Sequence, residues 1–272
     1  MGLKELLSSV DGAGRFSVWL GRTDGEAVFT HAADEVHYSA STMKLPVGIA
    51  MMRKVEAGVL DLDQPVAVHD DFASAKAGAR FEVRREEDDA PATWDHLGGE
   101  VTLGWLAAEM ISCSSNLATN LVLELAGIAE SNAALAARGA SAVRRGIDDG
   151  PAREAGIGNE MTAADLAAVL VAIGNDTAAA PGSCAHLRDL LAANHWNGQI
   201  PAGLPDGVRV EHKNGWDDGI RHDGGIVRPA DADPFVLTVL TTSELPDEDA
   251  QRFIADVAAV AWQHRHDLGT VS

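Results

Sequence analysis

Strand-prone segments at both ends of the chain enclose a long helix-prone middle, and this order restricts the fold more than any other feature. Short apolar runs rich in β-branched residues and bounded by turn residues predict strands. They are 16–21, 27–32, 207–215, 223–228 and 234–242. The first two flank a Thr23-Asp24-Gly25 turn and predict a hairpin. Helices are predicted at the two ends, over residues 2–10 and from about 246 to 266.

The middle of the chain, from residue 41 to about residue 194, is rich in alanine and leucine, with apolar residues three and four positions apart. That spacing predicts helices. We therefore predict an α/β (α+β) fold: an antiparallel sheet flanked by helices, plus an inserted all-helical subdomain. The sheet subdomain would comprise residues 1–49 and 195–272 and the helical subdomain residues 50–194. Together they would form one catalytic unit with a cleft between them.

The charge of the chain restricts its partners. The sequence has 41 acidic and 21 basic residues, a formal charge of −20. Such a surface repels polyanions, so nucleic acid and anionic membranes are not expected partners. A small-molecule substrate and a monomer are expected. The acidity is compatible with adaptation to high salt or with simple solubility, and the sequence does not choose between them.

The N-terminus, MGLKELLSSVDG, lacks the basic segment and apolar core of a signal peptide, and no run of about 18 apolar residues occurs. The sequence as given therefore predicts a cytoplasmic protein. Secretion is the alternative, if a leader was removed.

Several chemistry-bearing residues have structural explanations. Cys113 and Cys184 lack CxxC spacing and are predicted to be free thiols. The pair His264 and His266 has no acidic or cysteine companion at ligand spacing, so no metal is expected. No cofactor is expected, and His222 is interpreted as a structural histidine. The polar stretch 82–95 has no periodicity and predicts a solvated loop, with a rim over a cleft as the alternative.

The first chemical motif is Ser41-Thr42-Met43-Lys44, an S-x-x-K sequence that leads into an apolar helix. A step of three residues places Ser41 and Lys44 on one helix face. A lysine amine can take the serine proton if burial or nearby positive charge lowers its pKa. The chain contains only five lysines, which makes a chance match less common.

Two further motifs follow in chain order. Ser114-Ser115-Asn116 stands between two helix-like segments, where a hydroxyl and an amide can reach across a cleft. Lys213-Asn214-Gly215 ends a strand-like segment, where a cation and backbone N–H groups could hold a carboxylate and a carbonyl. A second K-x-G, Lys76-Ala77-Gly78, lies in a predicted loop and is interpreted as surface. By itself each motif is common, and taken alone the serines are better explained by helix capping.

The conjunction of the three motifs, in this order and context, is far more specific. The segments YSASTMKLPV, MISCSSNLATNLVLE and VEHKNGW resemble the active-site motifs of class A β-lactamases and related penicillin-binding serine hydrolases. The resemblance covers nearly the whole chain. It implies a β-lactamase/transpeptidase-like fold and hydrolysis through an acyl-serine intermediate.

The resemblance also implies roles. Ser41 would be the acylated nucleophile, Lys44 its proton-transfer partner, and Ser114 the hydroxyl that passes a proton to the leaving nitrogen. Lys213 would tune that transfer and attract a substrate carboxylate. Asn116 would bind the amide side chain of the substrate.

Strand residues complete the implied site. The backbone N–H groups of Ser41 and Trp216 would form the oxyanion hole. Asn214 and Gly215 would contact the substrate beside them, and the Trp216 side chain would line the cleft.

The chain departs from the class A pattern at three places. Ser115 stands where aspartate is usual and is expected to loosen the support of the helix junction. Asn214 replaces a hydroxyl residue that helps hold a carboxylate. Between residues 144 and 161 the segment is shortened, and the usual glutamate followed four residues later by asparagine is absent. Candidates for the deacylating base are Glu154, Asp148 and Asp149.

Three functions remain open at this level. β-Lactam hydrolysis comes first, and ester or D-alanyl-D-alanine peptide hydrolysis by the same machinery is the runner-up. The third is a non-catalytic reading in which the chain is acylated but does not turn over, because deacylation needs its own proton acceptor. Such a protein would be a penicillin-binding sensor or sink.

Overall fold

The computed structural model describes residues 2–135 and 140–268; the predicted subdomain ends at residues 1 and 269–272 and the segment 136–139 lie outside them. The helices are α1 (Leu3–Ser9), α2 (Lys44–Glu56), α3 (Leu103–Ala108), α4 (Asn116–Ala126), α5 (Ile128–Ala134), α6 (Gly150–Glu154), α7 (Ala163–Gly174), α8 (Pro181–Ala192) and α9 (Asp247–Gln263). The strands are β1 (Gly14–Arg22), β2 (Ala27–His31), β3 (His37–Tyr38), β4 (Pro65–Ala67), β5 (Asp71–Ala73), β6 (Arg80–Glu82), β7 (Glu100–Thr102), β8 (Glu160–Met161), β9 (Arg209–Asp217), β10 (Ile220–Arg228) and β11 (Phe235–Ser243).

The two ends of the chain build one antiparallel sheet, as predicted. Its strand order is β2-β1-β11-β10-β9. β1 pairs with β11 along its whole length, from Gly14 opposite Ser243 to Arg22 opposite Phe235. The N-terminal hairpin and the C-terminal strands are therefore joined in the centre of the sheet, and β9 forms one edge.

Side chains alternate between the two faces of the sheet along each strand, so both faces carry apolar residues. Helices cover both faces. On one face, apolar residues of β1 and β11 such as Val18 and Leu237 pack with α1 and with α9, which contributes Phe253. On the other face, Trp19 and Leu240 join a larger core with the helices of the middle segment. This second core connects the sheet to the helical part and fixes the position of the cleft between them.

The middle of the chain is mainly helical but also contains short two-stranded ribbons. Within it β4 pairs with β7 and β5 with β6, and β8 pairs with β3 of the N-terminal segment. Strands of two or three residues are too short to produce a readable alternation, so the sequence pattern did not reveal them.

The stretch 82–95 is only partly a solvated loop. Glu86 is exposed, but Asp88, Thr93 and Trp94 are buried in or beside two 3₁₀ turns, Arg85–Glu87 and Pro91–His96. The prediction of solvation was wrong for these residues, because Asp88 and Thr93 bond to the distant Ser115, and such contacts leave no periodicity in the local sequence.

Two buried histidines lie beneath the segment that precedes the first motif. The Nε2 of His222 lies 2.7 Å from the carbonyl oxygen of Tyr38, and its Nδ1 lies 2.8 Å from the carbonyl oxygen of Arg221 and 3.1 Å from the backbone nitrogen of Thr241. His222 is thus a structural residue, and it fixes the backbone three residues before Ser41.

His37 packs edge-on against His222, with ring centroids 5.6 Å apart. Its ring nitrogens contact the hydroxyls of Ser17 and Thr242 at 2.9 and 2.8 Å. Burial is the main cause that lowers the pKa of His37 to about 3 and that of His222 to about 4. Both rings are therefore neutral in the folded protein near pH 7.

The histidine pair predicts a loss of stability in acid. A pKa lowered by folding adds stability above the unfolded value of about 6.5, and this stability is lost as the pH falls towards the folded value. We expect the difference in unfolding free energy between wild type and His37→Gln to narrow by about 2–3 kcal/mol from pH 7.5 to pH 4.5. Urea unfolding at several pH values measures it. His264→Gln, at an exposed position, is the control, and a pH-independent gap for His37→Gln would contradict the prediction.

Candidate active site

Strand β9 approaches the first motif closely at a glycine. Ser41 lies in a 3₁₀ turn, Ala40–Met43, that runs directly into α2. A Cβ atom on Gly215 would be 2.7 Å from the backbone nitrogen of Ser41 and 3.1 Å from the Cβ of Ala40. Only glycine fits this approach. The K-x-G motif and the S-x-x-K motif are thereby brought together, as the sequence analysis predicted.

Lys44 is fully buried and points to the second motif. Its Nζ donates to the carbonyl oxygen of Ser114 at 2.6 Å, to Ser114 Oγ at 3.1 Å and to Asn116 Oδ1 at 3.2 Å. The ammonium group is therefore held by three oxygen acceptors between α2 and the start of α4.

Lys213 reaches the same hydroxyl from the sheet side. Its Nζ lies 3.1 Å from Ser114 Oγ and 3.0 Å from the carbonyl oxygen of Asn214. Ser114 Oγ is consequently shared by two buried lysines, one from each part of the molecule. This arrangement can carry a proton between the two sides of the cleft.

Burial lowers the pKa of both lysines. The pKa of Lys44 falls to about 7, and the negative charges of Asp88, Asp148 and Asp89 oppose a further fall. Burial and then the nearby Lys44 hold the pKa of Lys213 well below its usual range. Near neutral pH a large fraction of Lys44 is therefore the free amine, which can accept a proton.

Backbone strain is concentrated at the cleft. Among the described residues, five non-glycine residues have positive φ, and three of them line the cleft: Ala40 (42°), Ser114 (66°) and Asp148 (63°). Such conformations cost of order 1–3 kcal/mol each and persist where the surroundings impose them. These conformations place Ala40, the hydroxyl of Ser114 and the carboxylate of Asp148 around the same cleft.

The cleft has a volume of about 670 Å³. Of the predicted residues, Ser41, Ser114, Asn116 and Trp216 line it. Lys44 and Lys213 lie behind Ser114 rather than on the wall, and both are fully buried.

Asn214 is turned away from the expected substrate. Its Nδ2 donates to the carbonyl of Trp196 at 3.0 Å, and its Oδ1 receives contacts from Asn194 and Lys213. The side chain therefore braces the loop behind β9. The sequence analysis predicted Asn214 as a substrate contact, but its side-chain amide is bonded within the protein.

Trp216 closes one side of the cleft. Its indole Nε1 donates to Asp89 Oδ2 at 3.1 Å, and its ring packs on Trp196 with centroids 5.1 Å apart. Since Asp89 belongs to the stretch 82–95, this stretch forms part of the cleft rim, which was the alternative interpretation of the sequence.

The three acidic candidates of the shortened segment lie in different environments. Asp148 lines the cleft, and Asn116 Nδ2 donates to its Oδ2 at 3.2 Å. Asp149 also borders the cleft, but its carboxylate caps α6 and accepts a hydrogen bond from Ser74 Oγ at 2.6 Å. Glu154 is exposed and is not among the cleft residues.

The environment of Asp148 suits a base that works near neutral pH. Burial and then the neighbouring Glu87 raise the pKa of Asp148 to about 6, while Lys44 acts in the opposite direction. The side chain of Asn116 connects Lys44 and Asp148, because its Oδ1 accepts from one and its Nδ2 donates to the other.

Arg221 is a cleft residue that the sequence analysis missed. It lies opposite Trp216 in the β9–β10 pairing and lines the cleft. Its guanidinium donates to the carbonyls of Asp217 and Ile220 and pairs with Asp247. Its Nε is buried without a partner in the described structure. The β-hairpin register was the available signal, since cross-strand neighbours point to the same face.

Neither a membrane-spanning helix nor a metal-binding cluster occurs among the described residues. No helix within 2–135 and 140–268 has the length and apolar character needed to cross a bilayer. Within the same residues, no group of three or more histidine, cysteine or acidic side chains is arranged to hold a metal ion.

Comparison with known proteins agrees with the geometry. The chain is 26% identical over 261 residues to β-lactamase 1 of Streptomyces cacaoi, covering 87% of this chain and 75% of the relative. A β-lactamase structure from Sphaerobacter thermophilus superposes with a TM-score of 0.81 at 26% identity, covering 100% of this chain and 98% of the other. An ancestral class A β-lactamase of Gram-negative bacteria gives a TM-score of 0.79 at 27% identity, with coverages of 96% and 97%.

The sequence also matches a family profile over residues 2–265, nearly the whole chain. The profile is described as the β-lactamase enzyme family. With the mixed helix and antiparallel-sheet fold of class A enzymes, this match places the chain in that family: it is a member of the β-lactamase enzyme family.

Proposed function

We propose that this protein is a serine β-lactamase that hydrolyses the amide bond of a β-lactam through an acyl-Ser41 intermediate. The observation that carries the proposal is the shared hydroxyl of Ser114, which lies 3.1 Å from both Lys44 Nζ and Lys213 Nζ. Ser41 lines the same cleft as Ser114, which supports its role as the nucleophile.

Acylation would begin with loss of the Ser41 hydroxyl proton to the free amine of Lys44. Ser41 Oγ forms a bond to the carbonyl carbon of the substrate, and the ring C–N bond then breaks. The leaving nitrogen needs a proton at that moment. Ser114 Oγ supplies it and is reprotonated from a lysine, since both lysines contact it.

Charge that develops on the carbonyl oxygen would be held by the N–H groups of Ser41 and Trp216. β9 is an edge strand, so its outward-facing N–H groups are free of sheet pairing. Gly215 keeps this edge against the turn that carries Ser41. The substrate carboxylate would lie near Arg221, which lines the cleft, while Lys213 stays buried behind Ser114.

Hydrolysis of the acyl-enzyme requires a second base, and Asp148 supports turnover rather than a stalled adduct. Its carboxylate lines the cleft and is connected to Lys44 through Asn116. It would take a proton from the attacking water, whose oxygen bonds to the acyl carbon as the Ser41 ester bond breaks. The proton taken by Asp148 then passes back to Ser41 Oγ, so that both groups return to their starting states.

The nucleophile is tested by substitution. We expect intact-protein mass spectrometry to detect an adduct of a chromogenic cephalosporin on the wild type and none on Ser41→Ala. Absorbance at the same time should show turnover only with the wild type. Ser9→Ala, at an exposed position in α1, is the control. An adduct that survives Ser41→Ala would disprove the assignment.

The acid limb of the acylation rate, its decrease at low pH, should report the protonation of Lys44. Because burial lowers its folded pKa to about 7, the amine is protonated below that pH and cannot accept the serine proton. Single-turnover acylation should therefore fall about tenfold per pH unit below about pH 7, provided that the substrate does not titrate. A flat profile from about pH 5 to about pH 8 would exclude Lys44 as the base.

The Asp148→Asn variant tests whether Asp148 is needed for deacylation but not for acylation. Asparagine tolerates the positive φ of this position, so the backbone should be retained. We expect acylation within about threefold of wild type and deacylation slower by about 10²-fold or more, so that the adduct accumulates. Glu154→Gln, on the same segment, should turn over normally. If Asp148→Asn deacylates at the wild-type rate, the base lies elsewhere.

The same chain could hydrolyse an ester or a D-alanyl-D-alanine peptide with this machinery. The side chain of Asn214 is turned away, and the side-chain hydroxyl that helps hold a substrate carboxylate is missing. This favours weighing the ester, which needs no carboxylate, as the second candidate. Parallel kcat/KM measurements with a cephalosporin, a p-nitrophenyl ester and a D-alanyl-D-alanine peptide decide between them.

A further inference from the structure

A buried carboxylate outside the three motifs supports the second motif from below. Asp88 belongs to the stretch 82–95 and is 7% exposed. Its Oδ2 accepts hydrogen bonds from Ser115 Oγ and the backbone N–H of Leu117, both at 3.0 Å. The same oxygen accepts Trp94 Nε1–H at 3.1 Å, and Oδ1 accepts the N–H of Ala90 at 3.1 Å.

These bonds hold the start of α4. Ser115 is the N-cap residue of the helix, and its Oγ also accepts the N–H of Ala118 at 3.1 Å. Leu117 contributes one of the first N–H groups of α4, which have no partner inside the helix. The carboxylate therefore satisfies the helix terminus and fixes the orientation of the cap residue.

The position of Ser115 matters because it lies between two active-site residues. Ser114 has a left-handed backbone conformation, φ 66°, which the surroundings must enforce. Asn116 follows and binds Lys44 and Asp148. A shift at residue 115 would move the shared hydroxyl and the bridging amide together.

Asp88 also acts on Lys44 through its charge. The charged groups that face Lys44 are Lys213 on β9, Asp148 on the shortened segment, and Asp88 and Asp89 on the stretch 82–95. Among the charges that raise the pKa of Lys44, Asp88 is the largest contributor. It also helps raise the pKa of Asp148.

Loss of the aspartate usual at position 115 in class A β-lactamases was expected to loosen the helix junction. The structure shows a carboxylate at the junction nevertheless, supplied by a different segment. Ser115 and Asp88 together place an oxygen acceptor and a negative charge beneath the motif.

We propose that Asp88 is a positioning residue for acylation: its buried carboxylate orients Ser114 and Asn116 through Ser115 and Leu117 and sets the charge around Lys44. This inference rests on the proposed function, since the rate it controls is acylation of Ser41.

The test compares Asp88→Asn with Glu86→Gln, an exposed residue of the same stretch that loses the same charge. Asparagine keeps only one acceptor oxygen, so its NH₂ group must face either the N–H of Ala90 or the donors that Asp88 Oδ2 accepts. We therefore expect acylation by a chromogenic cephalosporin to slow by about 10–100-fold. Without the charge of Asp88 the pKa of Lys44 should drop. The acid limb of the acylation rate should therefore move to lower pH in Asp88→Asn and stay in place in Glu86→Gln.

Wild-type rates with an unmoved acid limb in Asp88→Asn would overturn the proposal. A slower variant whose acid limb stays at the wild-type pH would show a merely structural residue and would overturn it too. If Asp88→Asn does not fold, Ser115→Ala is the second variant, because it removes one donor and keeps the charge. It should acylate at least about fivefold more slowly with the wild-type acid limb, and an unchanged rate would refute the positioning role.

Failure of the proposed function is a separate result. It appears as a wild-type chain with no Ser41-dependent adduct of any β-lactam. In that case the same variants are compared with a fluorophosphonate, which reacts with an activated serine whatever its natural substrate. Equal phosphonylation of wild type and Asp88→Asn would overturn the inference about Asp88 independently.

Discussion

Two buried ammonium groups that share one hydroxyl are the constraint on which the rest of the site depends. Lys44 and Lys213 each lie 3.1 Å from Ser114 Oγ, and neither side chain is exposed. Removing two like charges from water in one place is costly unless they are neutralised or lose their protons. The lowered pKa values of both lysines are the direct result. Because burial makes the charged form of Lys44 costly, a large fraction of its amine is uncharged near pH 7 and can accept a proton.

Carboxylates around the lysines keep the pKa of Lys44 near neutrality. Asp88, Asp89 and Asp148 all oppose the fall of the Lys44 pKa. Their contacts differ, since Asp88 holds the start of α4, Asp89 binds Trp216 across the cleft, and Asp148 faces the cleft beside Asn116. The acidic character of the chain thus extends into the site itself, where it is balanced by buried cations.

The fold makes this site possible by joining distant parts of the chain. Pairing of β1 with β11 joins the two ends, and it places β9 at a sheet edge. Gly215 allows this edge to touch the turn before α2, while α4 brings Ser114 from the helical side. Positive φ values at Ala40, Ser114 and Asp148 show that the packing, rather than local preference, sets these three positions.

The sequence by itself determined the sheet, the helical middle and the three motifs, because apolar spacing and turn residues act locally and the motif residues keep fixed spacings. It identified Ser41, Ser114 and Asn116, which line one cleft, and Lys44 and Lys213, which lie behind Ser114. It could not choose among Asp148, Asp149 and Glu154 as the deacylating base. It also predicted that Asp88 is solvated, and it did not identify Arg221 as a cleft residue. Their environments depend on contacts between segments far apart in the chain, such as Asp88 with Leu117. Only the tertiary structure decides which carboxylates are buried, which cap a helix and which face the substrate, because burial and charge at these positions come from residues that local sequence patterns do not connect.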